Sequence, residues 1–202
     1  MRNPEDTIAS SAFAFPLAAS LGVTTAAFDA AFRALFRARY AELFRLIDRG
    51  YGDQALAADV AQETFVRLYR RGAMPDDVRG WLGAVALNLA RDERRRSSRR
   101  LRLLSARGPE VTMADATPGP DEELAAGERR SLVRRVLDRL TERDRSLLLL
   151  REEGYSYREI AIALALTESS IGTMLARARD AFRSAFDAMD GESAAGRDNA
   201  TT

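Results

Sequence analysis

The stretch GWLGAVALNLARDERRRSSRRLR, residues 80–102, carries the only tryptophan of the chain and a dense run of arginines. It reads as one helix with two kinds of flank. At about 100° per residue, Leu82, Val85, Ala86 and Leu89 fall on one arc, the expected core stripe. Trp81, Asn88, Arg91, Arg95, Arg99 and Arg102 share roughly 80° of a neighbouring arc. An aromatic plane stacks on an exposed base, a carboxamide reads base edges and guanidiniums neutralise phosphates. A partly buried indole followed by a solvated helix end has the same pattern, and spacing alone does not separate the two.

Magnitudes limit what such a flank can do. Stacking a base on an aromatic ring contributes ~1–3 kcal/mol, and each lost DNA stacking step costs about 1.4 kcal/mol. One indole offsets about one unstacked base, so opening a duplex needs a larger partner. The preceding stretch, DVAQETFVRLYRR from Asp59, offers a surface for one. Ala57, Ala61, Thr64, Phe65 and Leu68 share one helical face, and Asp59, Gln62, Glu63 and Val66 the other. That outer face is polar, not basic, and solvation accounts for it as well.

Composition narrows the classes. With 46% hydrophobic and 30% charged residues in 202, the chain is globular and long enough to bury a core. The net charge of +1 conceals segregation. Residues 91–107 hold eight arginines against Asp92 and Glu93, whereas 108–128 hold six acids (Glu110, Asp115, Asp121, Glu122, Glu123, Glu128) and no base. There is no cysteine and no histidine, which removes disulfides, thiol nucleophiles, nitrogen- or sulfur-ligated zinc and His-based triads. No catalytic residue, metal, cofactor or small-molecule substrate is expected, so the chain reads as a non-enzyme. The apolar run SAFAFPLAASLGV (11–23) is interrupted by Pro16, is too short to span a bilayer and lacks a basic leader. A cytoplasmic location is expected.

Apolar residues recur at helical spacing almost throughout, and no period-two run stands out. The fold class is all-α: two small helical domains joined by a flexible acidic linker, the second containing a helix-turn-helix. The expected boundaries are an N-terminal extension 1–25, a first domain 26–107, a linker 108–121, a second domain 122–188 and a disordered tail 189–202. In the first domain, helices are expected at 26–49, stopped near Gly50, and 54–71, opened at Asp53 and closed at Gly72. The loop GAMPDDVRG (72–80) leads into the Trp81 helix.

In the second domain Leu132, Val133, Val136, Leu137 and Leu140 form a stripe. Thr141 with Asp144 and Ser156 with Glu159 look like capping boxes, and Gly154 ends the helix between them. A turn of Ala165, Leu166 and Thr167 then joins YREIAIALA to a helix from Glu168 to about Ala188, a helix-turn-helix. On that last helix Ile171, Leu175, Ala178, Phe182 and Phe186 are expected inside and Ser169, Ser170, Thr173, Ala176 and Arg177 outside. Tyr155, Tyr157 and the four leucines at 147–150 read as packing residues, and Asp92 and Glu93 as partners in local helix pairs.

With these stretches in hand, the sequence resembles the bacterial sigma-factor family, of the small extracytoplasmic-function (ECF) type. DVAQETFVRLYRR is similar to the D-x-x-Q-E-x-F pattern of its region 2.2, and WLGAVALNLARDERRR to the W-L-x-x-x-A-x-N-x-A-x-D-x-x-R run of regions 2.3 and 2.4. LTERDRSLLLLREEGYSYREIAIALALTESSIGTMLARAR is similar to region 4. The resemblance covers about residues 28–107 and 122–187.

It implies a transcription initiation factor that binds core RNA polymerase, directs it to promoter DNA and assists melting. Asp59, Gln62 and Glu63 would dock on the clamp coiled coil of the largest subunit, with the flap as a further polymerase contact. Met74, Asp76, Asp77, Val78, Trp81, Asn88, Arg91, Arg94 and Arg95 would serve the minus-10 element, where the loop before Gly80 accepts a flipped base. Ser169, Ser170, Thr173, Arg177 and Arg179 would serve the minus-35 element. An anti-sigma factor is a further implied partner. Gly172 and Met174 depart from the basic residues usual there, and Ala165 from the usual turn glycine. Two rivals remain at this point: a free-standing helix-turn-helix regulator that binds DNA without polymerase, and an RNA-binding protein using 91–107 as an arginine-rich helix.

Overall fold

The computed structural model describes residues 26–105 and 121–198. The N-terminal extension, residues 106–120, which include all but the last residue of the expected linker, and residues 199–202 lie outside them. Seven helices follow in order: α1 (Ala26–Tyr51), α2 (Gln54–Arg71), α3 (Val78–Ser105), α4 (Asp121–Arg139), α5 (Glu142–Glu152), α6 (Tyr157–Leu164) and α7 (Glu168–Asp198). No strand occurs among the described residues.

Local chemistry sets the helix ends. Asp53 caps α2 by accepting the Leu56 N–H at 2.9 Å, and Gly72 closes it with φ 68°. Asp77 accepts the Gly80 N–H at 2.8 Å, so α3 starts at Val78, before Trp81. Thr141 caps α5 at the Asp144 N–H, but its hydroxyl donates to the Asp144 carboxylate, leaving half of the expected box. At α6 the box is complete: Ser156 Oγ accepts from Glu159 N, and Glu159 accepts from Ser156 N at 2.7 Å. α7 continues to Asp198, beyond the expected end near Ala188 and through much of the expected disordered tail. Met189 is buried, so packing reaches one residue beyond that expected end.

α1 and α2 form an antiparallel pair held by rings. Phe28, Phe32, Phe36 and Tyr40 recur every fourth residue along α1 and meet Phe65 and Tyr69 of α2. All five residues expected on the inner face of α2 are buried. Leu82, Val85 and Ala86 of α3 are buried as expected, and Leu89 is half-buried.

The two helical groups, α1–α3 and α4–α7, do not stand apart. One buried cluster runs from Leu43 and Phe65 through Leu82 and Leu87 to Leu150, Tyr155, Ile160 and Leu175. α3 lies across α6, and Gly80 and Gly83 permit the approach. A Cβ on Gly80 would stand 2.9 Å from a methyl of Ile162, and one on Gly83 would stand 3.1 Å from the Tyr155 ring. Gly80, Gly83, Ala84, Leu87 and Ala90 thus form a second buried stripe, opposite the first. No single helix among the described residues is long and apolar enough to cross a membrane.

Candidate nucleic-acid interface

Of the expected edge of α3, Trp81, Asn88, Arg91, Arg95 and Arg99 are described, and the side chain of Arg102 lies outside the described residues. Trp81 is half-buried against the core, not sealed within it. Asn88 is exposed and accepts a hydrogen bond from Arg91 at 3.0 Å. Arg91, Arg94, Arg95, Ser98 and Arg99 line one open cleft of about 360 Å³ together with Glu142 of α5. Four guanidiniums in one cleft have the charge to neutralise phosphates.

Two of those arginines are already engaged by the second helical group. Arg91 donates to Glu142 at 3.3 Å, and Arg94 to Asp138 at 2.7 Å. Arg145, almost fully buried, donates to the same two carboxylates, at 2.6 Å to Glu142 and 2.9 Å to Asp138. Tyr51 donates its hydroxyl to Glu142 at 3.2 Å. Burial, and then the Glu142 charge, pushes the Tyr51 phenol up to about 12. Burial opposes ionisation of Glu142, yet Arg145, by charge and hydrogen bond, and then Arg91 hold its carboxyl below the ordinary value.

The loop residues divide. Asp76 is exposed. Asp77 caps α3 and faces Arg158 of α6 at 3.8 Å, while Met74 and Val78 pack partly on the core. Beside them Arg79, absent from the sequence-derived set, is the centre of a second polar cluster. It donates to Glu42 at 2.7 Å, to Glu159 at 3.2 Å, and to the carbonyl oxygens of Glu153 and Gly154 at 2.7 and 2.9 Å. Its guanidinium lies 4.1 Å from the centre of the buried Tyr155 ring. Burial works against the Arg79 charge, and Glu42 more than restores it.

On α2, Asp59 and Gln62 are exposed and Glu63 is half-buried, paired to Arg67 at 3.0 Å. Next to Gln62 lies an apolar cleft of about 390 Å³ lined by Phe32, Phe36, Phe65, Val66, Tyr69 and Arg70. Phe36 and Tyr69 are exposed at 38% and 43%, an apolar shoulder that the polar pattern alone did not reveal. The i, i+4 run of α1 phenylalanines was the available signal.

On α7, Ser169, Thr173 and Arg177 share one exposed face. Ser170 is half-buried and donates its hydroxyl to the Thr167 carbonyl at 2.7 Å. Arg179 lies elsewhere, in a cleft of about 1050 Å³ with Arg45, Arg49, Leu148 and Phe182. Met174 packs on the core, and Gly172 lies beside Tyr157.

Comparisons with known proteins fit this geometry. Sigma-70 region 2 matches residues 35–100, and Sigma-70 region 4 matches residues 130–182. The chain is 33% identical over 138 residues to the probable RNA polymerase sigma factor RfaY of Xanthomonas campestris pv. campestris, covering 65% of this chain and 34% of that protein. It therefore spans about a third of that relative. It is 32% identical over 148 residues to the ECF RNA polymerase sigma factor SigL of Mycobacterium tuberculosis, covering 71% of this chain and 81% of that one. Among solved structures, the sigma factor RpoE in complex with the anti-sigma factor NepR, from Bartonella quintana, shares the fold. The TM-score is 0.58 at 16% identity, over 78% of this chain and 97% of that one.

Proposed function

The chain belongs to the sigma-70 family of RNA polymerase sigma factors, of the ECF type, and from that premise we propose that it binds core RNA polymerase, carries it to promoters and assists strand opening. The observation that carries the reading is the α3 edge: a half-buried indole, an exposed carboxamide and four guanidiniums lining one cleft. Trp81 stacks on an unpaired base of the minus-10 element, Asn88 faces base edges, and Arg91, Arg94 and Arg95 take the backbone. Asp76, at the exposed tip of the loop before α3, is the leading specificity residue of that loop.

The larger partner docks on α2. Asp59, Gln62 and Glu63 supply polar contacts, and Phe36, Val66 and Tyr69 supply an apolar shoulder to bury beside them. Ser169, Thr173 and Arg177, at the start of the second helix of a helix-turn-helix, face the minus-35 major groove. Ser170 and Arg179, turned to other work, drop to supporting roles. An anti-sigma factor belongs to the same reading, as the RpoE relative is bound to one. A free-standing regulator does not require an α2 docking face, and the region 2 match spans α2 and most of α3. No bond is made or broken by this chain in the process.

Run-off transcription from a genomic promoter library with purified core polymerase tests the whole. Trp81→Ala should reduce permanganate reactivity of minus-10 thymines while leaving closed-complex binding largely intact. Equal loss of both would remove the indole from strand opening.

A further inference from the structure

The run SAFAFPLAASLGV (11–23), outside the described residues, has no part in the reading above. No charge falls between Asp6 and Asp29, and Phe13, Phe15, Leu17, Leu21 and Val23 are large and apolar. Water disfavours the exposure of so much contiguous apolar surface, so the run calls for a cover. It is too short for a bilayer to be that cover.

A cover lies beside the helix that the run leads into. The cleft between α1 and α2, about 390 Å³, is walled by Phe32, Phe36, Phe65, Val66 and Tyr69. A cavity of about 150 Å³ takes one benzene ring, so this cleft has room for about two. Phe32 and Phe36 stand about 9 and 15 Å along α1 from Ala26 at 1.5 Å per residue. Phe15 precedes Ala26 by eleven residues, and eleven residues extend to about 36 Å. The run reaches the cleft with length to spare.

Charge fits as well. Glu5 and Asp6 stand ahead of the run, and the rim of the cleft carries Arg70, exposed and followed by the exposed Arg71. Tethering decides between this segment and a separate partner. A short tether holds a segment at an effective concentration on the order of millimolar, so a contact too weak for a free peptide is populated within the chain.

We propose that residues 11–21 of this chain dock in the cleft between α1 and α2, with Phe13 and Phe15 against Phe36, Val66 and Tyr69 and with Glu5 and Asp6 towards Arg70. One consequence rests on the reading of α2 as the polymerase-docking face. The segment and polymerase share the same apolar shoulder, so the segment sets polymerase affinity by competing for it.

The chain has no cysteine, so a pair of spin labels can be placed at will. Ala12→Cys and Ala38→Cys, the latter at an exposed site two residues beyond Phe36, put one label on the segment and one beside the cleft. The full chain should give a narrow distribution of short label-to-label distances, and a broad one would overturn the docking. Phe36 also packs on Phe65, so the disruptive changes are made at Phe13→Ser with Phe15→Ser, away from that contact. They should broaden the distances while the urea midpoint of the helical core holds. Distances that stay narrow would overturn the assignment to these two rings. Short distances between singly labelled chains, absent within one chain, would give the cleft to a second copy and sink the proposal.

Core polymerase supplies the second arm. If the segment fills the cleft about nine-tenths of the time, the double serine variant should bind polymerase about tenfold more tightly. Equal affinity, with the label distances behaving as expected, would sink the competition and leave the docking. Weaker binding by the variant would make the segment part of the polymerase surface and likewise overturn the competition. Failure of both chains to bind polymerase would sink the functional reading, and the distances would still decide the docking.

Discussion

Ala165 has φ 54° and ψ 47°, the only left-handed backbone at a non-glycine position among the described residues. It ends α6, where Leu166 N donates to the Ala161 carbonyl at 2.8 Å, so the turn into α7 requires this conformation. A Cβ there costs ~1–2 kcal/mol, and the looser unfolded chain of a glycine returns ~0.4–1 kcal/mol of that. Ala165 is exposed, so no packing is forfeited by removing its methyl. Ala165→Gly should therefore stabilise the protein by about 0.5–1 kcal/mol. The urea midpoint would rise with the slope unchanged, and a lower midpoint would show that the alanine methyl packs in a way its exposure does not suggest.

At the scale of one helix, α6 is only eight residues long and leans on its amino-terminal box. Ser156→Ala should cost about 1 kcal/mol, with earlier deuterium uptake in α6 amides, and Ser156→Thr should restore most of it. If uptake in α6 is unchanged, interface packing alone holds the helix. This box was legible because Ser156 and Glu159 carry their own spacing rule. So was the inner face of α2, where one apolar stripe meets one core. α3 was legible on one side only. Its second stripe consists of Gly80, Gly83, Ala84, Leu87 and Ala90, which apart from Leu87 are small residues that weigh little in a periodicity and matter only when another helix arrives. For the same reason Asp77 and Arg79 read as loop residues until α6 was beside them. Along α7, Ser170 and Arg179 were assigned by position in a motif. The side-chain bond to Thr167 and the turn of about 120° separating Arg179 from Thr173 at 100° per residue give them different surroundings.

For the molecule as a whole, the interface between the helical groups is electrostatic as well as apolar, and its ionisation sets a pH window. Glu142 and Glu159 sit in it, each opposed by burial. Arg145 holds the first below the ordinary 4.5, and the Ser156 N–H and hydroxyl, followed by Arg79, hold the second below it. A carboxyl whose folded value is depressed contributes stability that is complete above the unfolded value and is lost as pH falls through the folded one. The two carboxyls therefore stabilise the interface from neutrality down to about pH 4.5 and progressively less below it. At the other limit the Tyr51 and Tyr155 phenols are raised, chiefly by burial, so their contribution is complete below the ordinary 10.0 and fades above it. Arginines stay charged across the range. Urea midpoints should thus form a plateau from about pH 5 to 9 and fall on both sides. Small-angle scattering should show the chain expanding on the acid limb. Because many other carboxylates titrate there, the discriminating measurement is the variant Glu142→Gln with Glu159→Gln, in which glutamine still serves the α6 box. Its acid limb should be shallower than that of wild type, since two of the depressed carboxyls are gone. An acid limb of identical slope would mean that the interface is held by the apolar contacts of α3 and α6, with the ion pairs contributing nothing to its pH dependence.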